Sequence, residues 1–216
     1  DDDIEVDPSF VGAHAQCYAD VSVVGVAGQV LQPGQTPREN YRQATTADPF
    51  GDLHFDFSSA TATWVRNGMS GNLSFRREAA LAIGGFDENF LPPVSYRFDA
   101  EFCARLCRAG GRIRFEPTAS IRHLRAARGG TRASGSHLTS ASPVHGVGDY
   151  YFALRSGRGW PRLRYLLRRP FREVCTKFHL AHPWWIPVKF IGELRALVLA
   201  LRLHRQGPRL LGDTAP

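Results

Sequence analysis

Three observations predict an α/β fold. Residues 21–31 (VSVVGVAGQVL) are short, apolar and β-branched, as a buried strand requires. Apolar residues at helical spacing come before and after that stretch, so strands and helices alternate through His123. From Asp149 the spacing turns helical and stays so up to Gly207. The chain has 216 residues, 43% hydrophobic and 22% charged, which excludes disorder along its whole length. No internal period marks a repeat protein, and no run of about 18 uncharged apolar residues marks a membrane span. The four cysteines do not form a disulfide framework, so a reducing compartment is expected.

The elements follow in order. Asp7-Pro8 reads as a helix start, an N-cap acid before a proline at the first helical position. Phe10, Val11, His14, Ala15 and Tyr18 then recur at helical spacing. Residues 32–50, rich in Pro, Gln and Thr, read as a loop. Residues 60–75 read as strand, glycine-containing turn and strand. Residues 77–83 form a short helix stopped by Gly84-Gly85. Residues 99–109 form a better helix, with Asp99 as its cap, Phe102, Leu106 and Ala109 on one face, and Gly110-Gly111 at its end. Residues 112–115 and 119–123 read as two short strands separated by Pro117. Residues 125–147 form a Gly/Ser/Arg loop too long for a simple connector. The strands are few, so the sheet is expected to be partial. The domains expected are 1–148, carrying the sheet, and 149–216, a basic helical tail.

Charge divides the chain in the same place. Residues 1–149 hold 14 basic and 17 acidic side chains, whereas residues 150–216 hold 13 and 3. The net charge of +7 therefore belongs to the tail.

Three sequence features bear on chemistry. The first is Asp1-Asp2-Asp3, whose carboxylates at i and i+2 can share one hard cation such as Mg²⁺ or Mn²⁺. The second is Gly71-Asn72-Leu73-Ser74-Phe75-Arg76-Arg77 followed by Ile83-Gly84-Gly85-Phe86-Asp87-Glu88, whose glycines imply tight turns or close backbone approach. The third is Phe98-Asp99-Ala100-Glu101-Phe102 with Arg105-Leu106, then Gly110, Pro117 and Ala119 leading to His123.

Together these residues resemble the C-terminal half of a family 2 glycosyltransferase with the GT-A fold, over about residues 1–132. The resemblance implies a partial GT-A, Rossmann-like sheet with flanking helices, followed by the α-helical tail. It implies transfer of a sugar from a nucleotide-diphosphate donor to a polysaccharide or lipid-linked acceptor, with inversion. Asp1 and Asp3 resemble the Asp-x-Asp motif that holds a divalent metal (Mg²⁺ or Mn²⁺) and the donor diphosphate. His123 resembles the histidine that closes the site beside the metal. Asp99 resembles the acceptor's general base; Phe98 stands where the family often has Glu, so Glu101 is the second choice. Gly71 and Asn72 resemble the loop lining the donor and acceptor sites, and Arg105 belongs to the same substrate-binding set. Arg128, Gly129, Gly130 and Arg132 are expected to fold over the diphosphate, with arginine as its bidentate partner.

The family's first βαβ units, which bind base and ribose, have no counterpart here. The chain opens inside the metal motif, without an initiator Met, and reads as a truncated catalytic domain whose isolated fragment is expected to be inactive.

Structural readings stand beside these. Asp99 can serve only as a cap, and His123 as a core histidine. Cys103 and Cys107, four apart on a helix, are expected to pack rather than bind zinc, since no second pair matches them. In the tail, Trp184, Trp185, Ile186, Phe190, Ile191, Leu194, Leu197, Val198 and Leu201 gather near one helical face, flanked by Lys189, Arg195, Arg202 and Arg205. Upstream, Arg162, Arg164, Arg168, Arg169 and Arg172 add a basic cluster. A Trp-anchored cationic helix suits an anionic membrane surface, on the cytoplasmic face of the cell membrane. The alternative is a helix packed on the catalytic domain. Nucleic acid is discounted because no base-stacking or groove-reading motif accompanies the arginines. A non-catalytic membrane-associated scaffold remains the alternative function.

Overall fold

The computed structural model describes residues 3–39, 50, 52–94, 96–124 and 136–212. The fold is α/β, and it divides into two compact units: Asp1–Phe86 with Asp99–Ala127, and Asp87–Phe98 with Arg128–Pro216. The helical unit takes in residues 87–98 besides the C-terminal segment.

The first unit is built on a five-stranded mixed sheet. Its strands are β1 (Ile4–Val6), β2 (Val23–Leu31), β3 (Thr63–Val65), β4 (Leu73–Phe75) and β5 (Arg112–His123). The centre is the parallel pair β2 and β5; β4 lies antiparallel on the far side of β2. Both β1 and β3 pair antiparallel with β5, β1 at its C-terminal end (Ile4 opposite His123) and β3 near its start (Val65 opposite Ile113). Its helices are α1 (Phe10–Cys17), α2 (Arg77–Ala82) and α3 (Phe98–Arg108).

Local signals explain most of these boundaries. Asp7 Oδ1 accepts from the backbone and hydroxyl of Ser9 and turns the chain into α1. Gly84 and Gly85 (φ 78° and 67°) end α2 in the left-handed region that only glycine enters freely. Ala27, Phe55, Val65, Cys103, Ile113 and Phe115 form one buried cluster, and Cys107 packs against it. Burial raises the Cys103 thiol's pKa well above its ordinary value. Phe102 and Leu106 of α3 bury with Ala80 of α2 in a second cluster.

Two boundaries differ from the sequence reading. First, α3 begins at Phe98, so Asp99 lies within the first turn instead of capping it. Second, residues 112–123 form one strand rather than two. Pro117 has no N–H for the ladder, yet pairing with β2 passes from Gly28–Glu116 to Gln29–Ser120 across a bulge. Gly28 is required there: a Cβ would overlap the Ala119 carbonyl and the Asn72 side-chain amide.

The second unit is helical: α4 (Val147–Ser156), α5 (Gly159–Val174), α6 (Lys177–Ala181) and α7 (Trp185–Gln206). Asp87 ties residues 87–98 to it, Oδ2 accepting from Tyr151 Oη (2.7 Å) and Oδ1 from the Arg209 N–H (3.0 Å). The interior holds an ion network. Asp149 Oδ1 accepts from Arg97 Nε (2.8 Å) and Tyr165 Oη (3.1 Å), and Oδ2 lies 3.1 Å from Arg169. Arg169 also faces Glu193 at 3.2 Å, close enough to pair but without hydrogen-bond alignment. Glu193 accepts from Lys189 Nζ at 2.7 Å. Burial alone would weaken the Arg169 charge, but Asp149 and Glu193 hold its pKa above its ordinary value. Burial and Asp149 push the Tyr165 phenol up to about 12. Arg97 occupies the left-handed region (φ 70°).

The network corrects the surface reading of two cations, because Lys189 and Arg169 are only 2% and 4% exposed. Among the described residues, no helix is long and apolar enough to cross a membrane.

Candidate active site

Of the described candidate residues, Asp3 and His123 lie at the C-terminal end of β5, Asn72 bridges β2 and β5 at Gln29 and Ala119, and Asp99 joins the turn that carries Asn72, whereas Glu101 and Arg105 face the turn after α2. β1 runs antiparallel to the end of β5, which sets Asp3 beside His123 with Oδ1 3.3 Å from Nε2. The Leu124 N–H donates to the Asp3 carbonyl at 2.7 Å and fixes the pairing. Asp1 lies outside the described residues, as do Arg128, Gly129, Gly130 and Arg132.

Asp99 is half-buried in the first turn of α3, where the helix dipole favours a carboxylate. Its Oδ2 accepts from the Ser70 N–H at 3.2 Å and its Oδ1 from the Ala100 N–H at 2.8 Å. Ser70 opens the 3₁₀ turn Ser70–Asn72 that carries Gly71 and Asn72 into β4.

Asn72 is a clamp. Its Nδ2 donates to the Gln29 and Ala119 carbonyls, each at 2.8 Å, one on either strand of the central pair. These bonds orient the amide so that Oδ1 accepts from His14 Nε2 at 2.8 Å. His14 Nδ1 is then the acceptor for the Ser74 hydroxyl at 2.8 Å, and Ser74 meets Tyr18 Oη at 2.9 Å. At 1% exposure, Asn72 spends its amide inside the protein instead of lining a substrate site.

Glu101 and Arg105 are likewise engaged internally. Arg105 Nε donates to both Glu101 carboxylate oxygens (2.8 and 2.9 Å), and its terminal nitrogens donate to the Ile83 and Gly85 carbonyls, each at 2.7 Å. The pair ties α3 to the glycine turn after α2. With Glu101 fully buried, Asp99 is the better placed of the two candidate bases.

His14 and Tyr18 lie outside the sequence motifs, and Ser74, though inside the second of them, carries no role of its own there. The helical spacing of His14 gave a hint, but its partner lies 58 residues away. Burial lowers the His14 pKa, and the Asn72 hydrogen bond and the Glu116 charge offset that only in part. Because the native state favours the neutral ring, the unfolded chain binds more protons as pH falls below about 6.5. The stability from neutral His14 is present above that value and is lost as pH falls toward the lower native pKa. Denaturation midpoints are expected to fall over this window, and His14→Gln is expected to flatten the slope; a slope unchanged by the substitution would assign it elsewhere.

No family model matches the chain, and no curated protein matches its sequence. Among the described residues, no group of three or more His, Cys, Asp or Glu side chains could hold a metal ion. Asp3 and His123 supply two donors, a carboxylate oxygen and an imidazole nitrogen. His123 Nδ1 is buried with no hydrogen-bond partner among the described residues.

Proposed function

We propose that the chain carries the acceptor-activating part of an inverting glycosyltransferase that draws on a nucleotide-sugar donor. The observation that carries this reading is the Asp99 carboxylate, anchored by the Ser70 N–H to a turn that Asn72 clamps to the ends of β2 and β5. Asp99 takes the proton of an acceptor hydroxyl as that oxygen forms its bond to the anomeric carbon. The bond from that carbon to the diphosphate oxygen breaks on the opposite face, and its electron pair leaves with the diphosphate. Asp3 and His123, joined by Asp1, would hold a divalent ion, which when bound stabilises charge on the leaving diphosphate. Arg128 and Arg132, with Gly129 and Gly130, are the proposed cover of that group. The acceptor is a glycan or a lipid-linked hydroxyl compound, and the protein works peripherally on the anionic inner face of a cell membrane.

One observation favours a second reading, a non-catalytic scaffold: Asn72, Glu101 and Arg105 all spend polar atoms on internal contacts. Nucleoside diphosphate release separates the two. The full product of the coding sequence is incubated with Mn²⁺ and a panel of UDP-, GDP- and dTDP-sugars. Release from one donor class, accelerated by an acceptor glycan, is expected. No release from any donor would leave the scaffold.

A further inference from the structure

The interior of the helical unit combines apolar side chains of α4 (Tyr150, Tyr151 and Phe152 are each at most 1% exposed) with the charged Asp149, Arg169, Lys189 and Glu193, while large apolar side chains of α5 and α7 point outward. The outward apolar face is clearest on α5. Trp160 (67% exposed), Leu163 (47%), Leu167 (57%) and Phe171 (62%) fall within a sector of about 80° at 3.6 residues per turn. Arg164 and Arg168 continue the exposed face along one edge of this stripe. Neither arginine has an acidic partner among the described residues, whereas Arg169, on the opposite side of the helix, is buried against Asp149 and Glu193.

α7 behaves the same way. Its buried side is Lys189, Gly192, Glu193, Ala196 and Ala200, and Ile191, Leu194 and Val198 are each nearly half exposed. Phe171 of α5 meets Phe190 of α7 with ring centroids 6.1 Å apart, so the apolar surface runs from one helix onto the other.

We infer that the helical unit docks on an anionic lipid bilayer through the outward stripe of α5, with the exposed face of α7 beside it. The inference rests on the peripheral-membrane reading above and assigns the surface that makes contact. The stripe enters the boundary between headgroups and acyl chains, with Trp160 and Phe171 toward its two ends. Arg164 and Arg168 lie at headgroup level, where each gains from anionic lipid. Uncompensated positive charge beside a continuous apolar stripe matches a lipid surface, because nucleic acid offers phosphates without an apolar layer to receive Leu163 and Leu167.

Flotation of the full chain with phosphatidylglycerol/phosphatidylcholine vesicles, and with phosphatidylcholine alone, tests this. The wild type is expected to float only with the anionic vesicles, and less at high salt. W160S/F171S is expected to weaken that binding by at least about tenfold with an unchanged far-UV circular dichroism spectrum. R164E/R168E is expected to remove the preference for anionic lipid. If the wild type binds no vesicles, the membrane reading and this inference fail together. If it binds and both α5 variants bind equally well, only the assignment to α5 fails. Two other results also overturn it: DNA binding lost in R164E/R168E without vesicle binding, or a dimer that W160S/F171S dissociates while vesicle binding is unchanged.

Discussion

Asp99→Asn is expected to reduce sugar transfer by about 10²–10⁴-fold, the range typical of losing a positioned general base. The substitution keeps the side chain's shape, and an amide oxygen can still accept the Ser70 N–H that Asp99 Oδ2 accepts at 3.2 Å. The loss is therefore expected in kcat, with the donor KM and the unfolding midpoint little changed. Glu101→Gln separates the two carboxylates. Glu101 accepts both hydrogen bonds from Arg105 Nε inside the protein, so removing its charge weakens the tie to the turn at Ile83 and Gly85. It is expected to lower stability and leave the transfer rate of the folded fraction largely intact. A kcat loss in Glu101→Gln without one in Asp99→Asn would reverse the assignment of the base.

Arg169→Ala is expected to destabilise the helical unit by about 3–5 kcal/mol, the cost typical of removing one partner from a buried ion pair. Arg169 faces Asp149 at 3.1 Å and Glu193 at 3.2 Å, and its loss leaves two buried carboxylates with fewer cations. Asp149 retains Arg97, and Glu193 retains Lys189, so the network is expected to weaken without dispersing. Urea denaturation followed by far-UV circular dichroism measures the change. Combining Arg169→Met with Glu193→Gln should cost less than the sum of the two single changes, because each removes a charge that the other leaves unpaired. Strict additivity would mean that the two side chains do not interact.

The residues that announce themselves locally were legible in the sequence. Gly84-Gly85 ends α2, and β2 follows the apolar run 21–31 to within two residues. Asp3 and His123 lie close together because β1 pairs antiparallel with the end of β5, a contact between residues 120 apart in the chain. Long-range demands were hidden. Pro117 reads as a strand break, but β5 resumes because Asn72, 47 residues before Ala119 in the chain, holds the bulge. A buried asparagine clamp and a substrate-lining asparagine look alike in one dimension. Arg169 and Lys189 read as surface cations because arginine and lysine are rarely buried; only their pairing with Asp149 and Glu193 overturns that prior.

Arg97 illustrates how such demands limit sequence change. Its backbone, at φ 70°, suits glycine or asparagine, and holding arginine there costs on the order of 1 kcal/mol. Its side chain nevertheless gives Asp149 a 2.8 Å hydrogen bond and lies over the Tyr96 ring, 4.6 Å from the centroid. The residue best for the chain's local path and the residue best for the buried acid are therefore different ones. Drift toward glycine relaxes the turn only by leaving Asp149 one partner short. Position 97 is thus tied to position 149, 52 residues away, and neither is free to vary without the other.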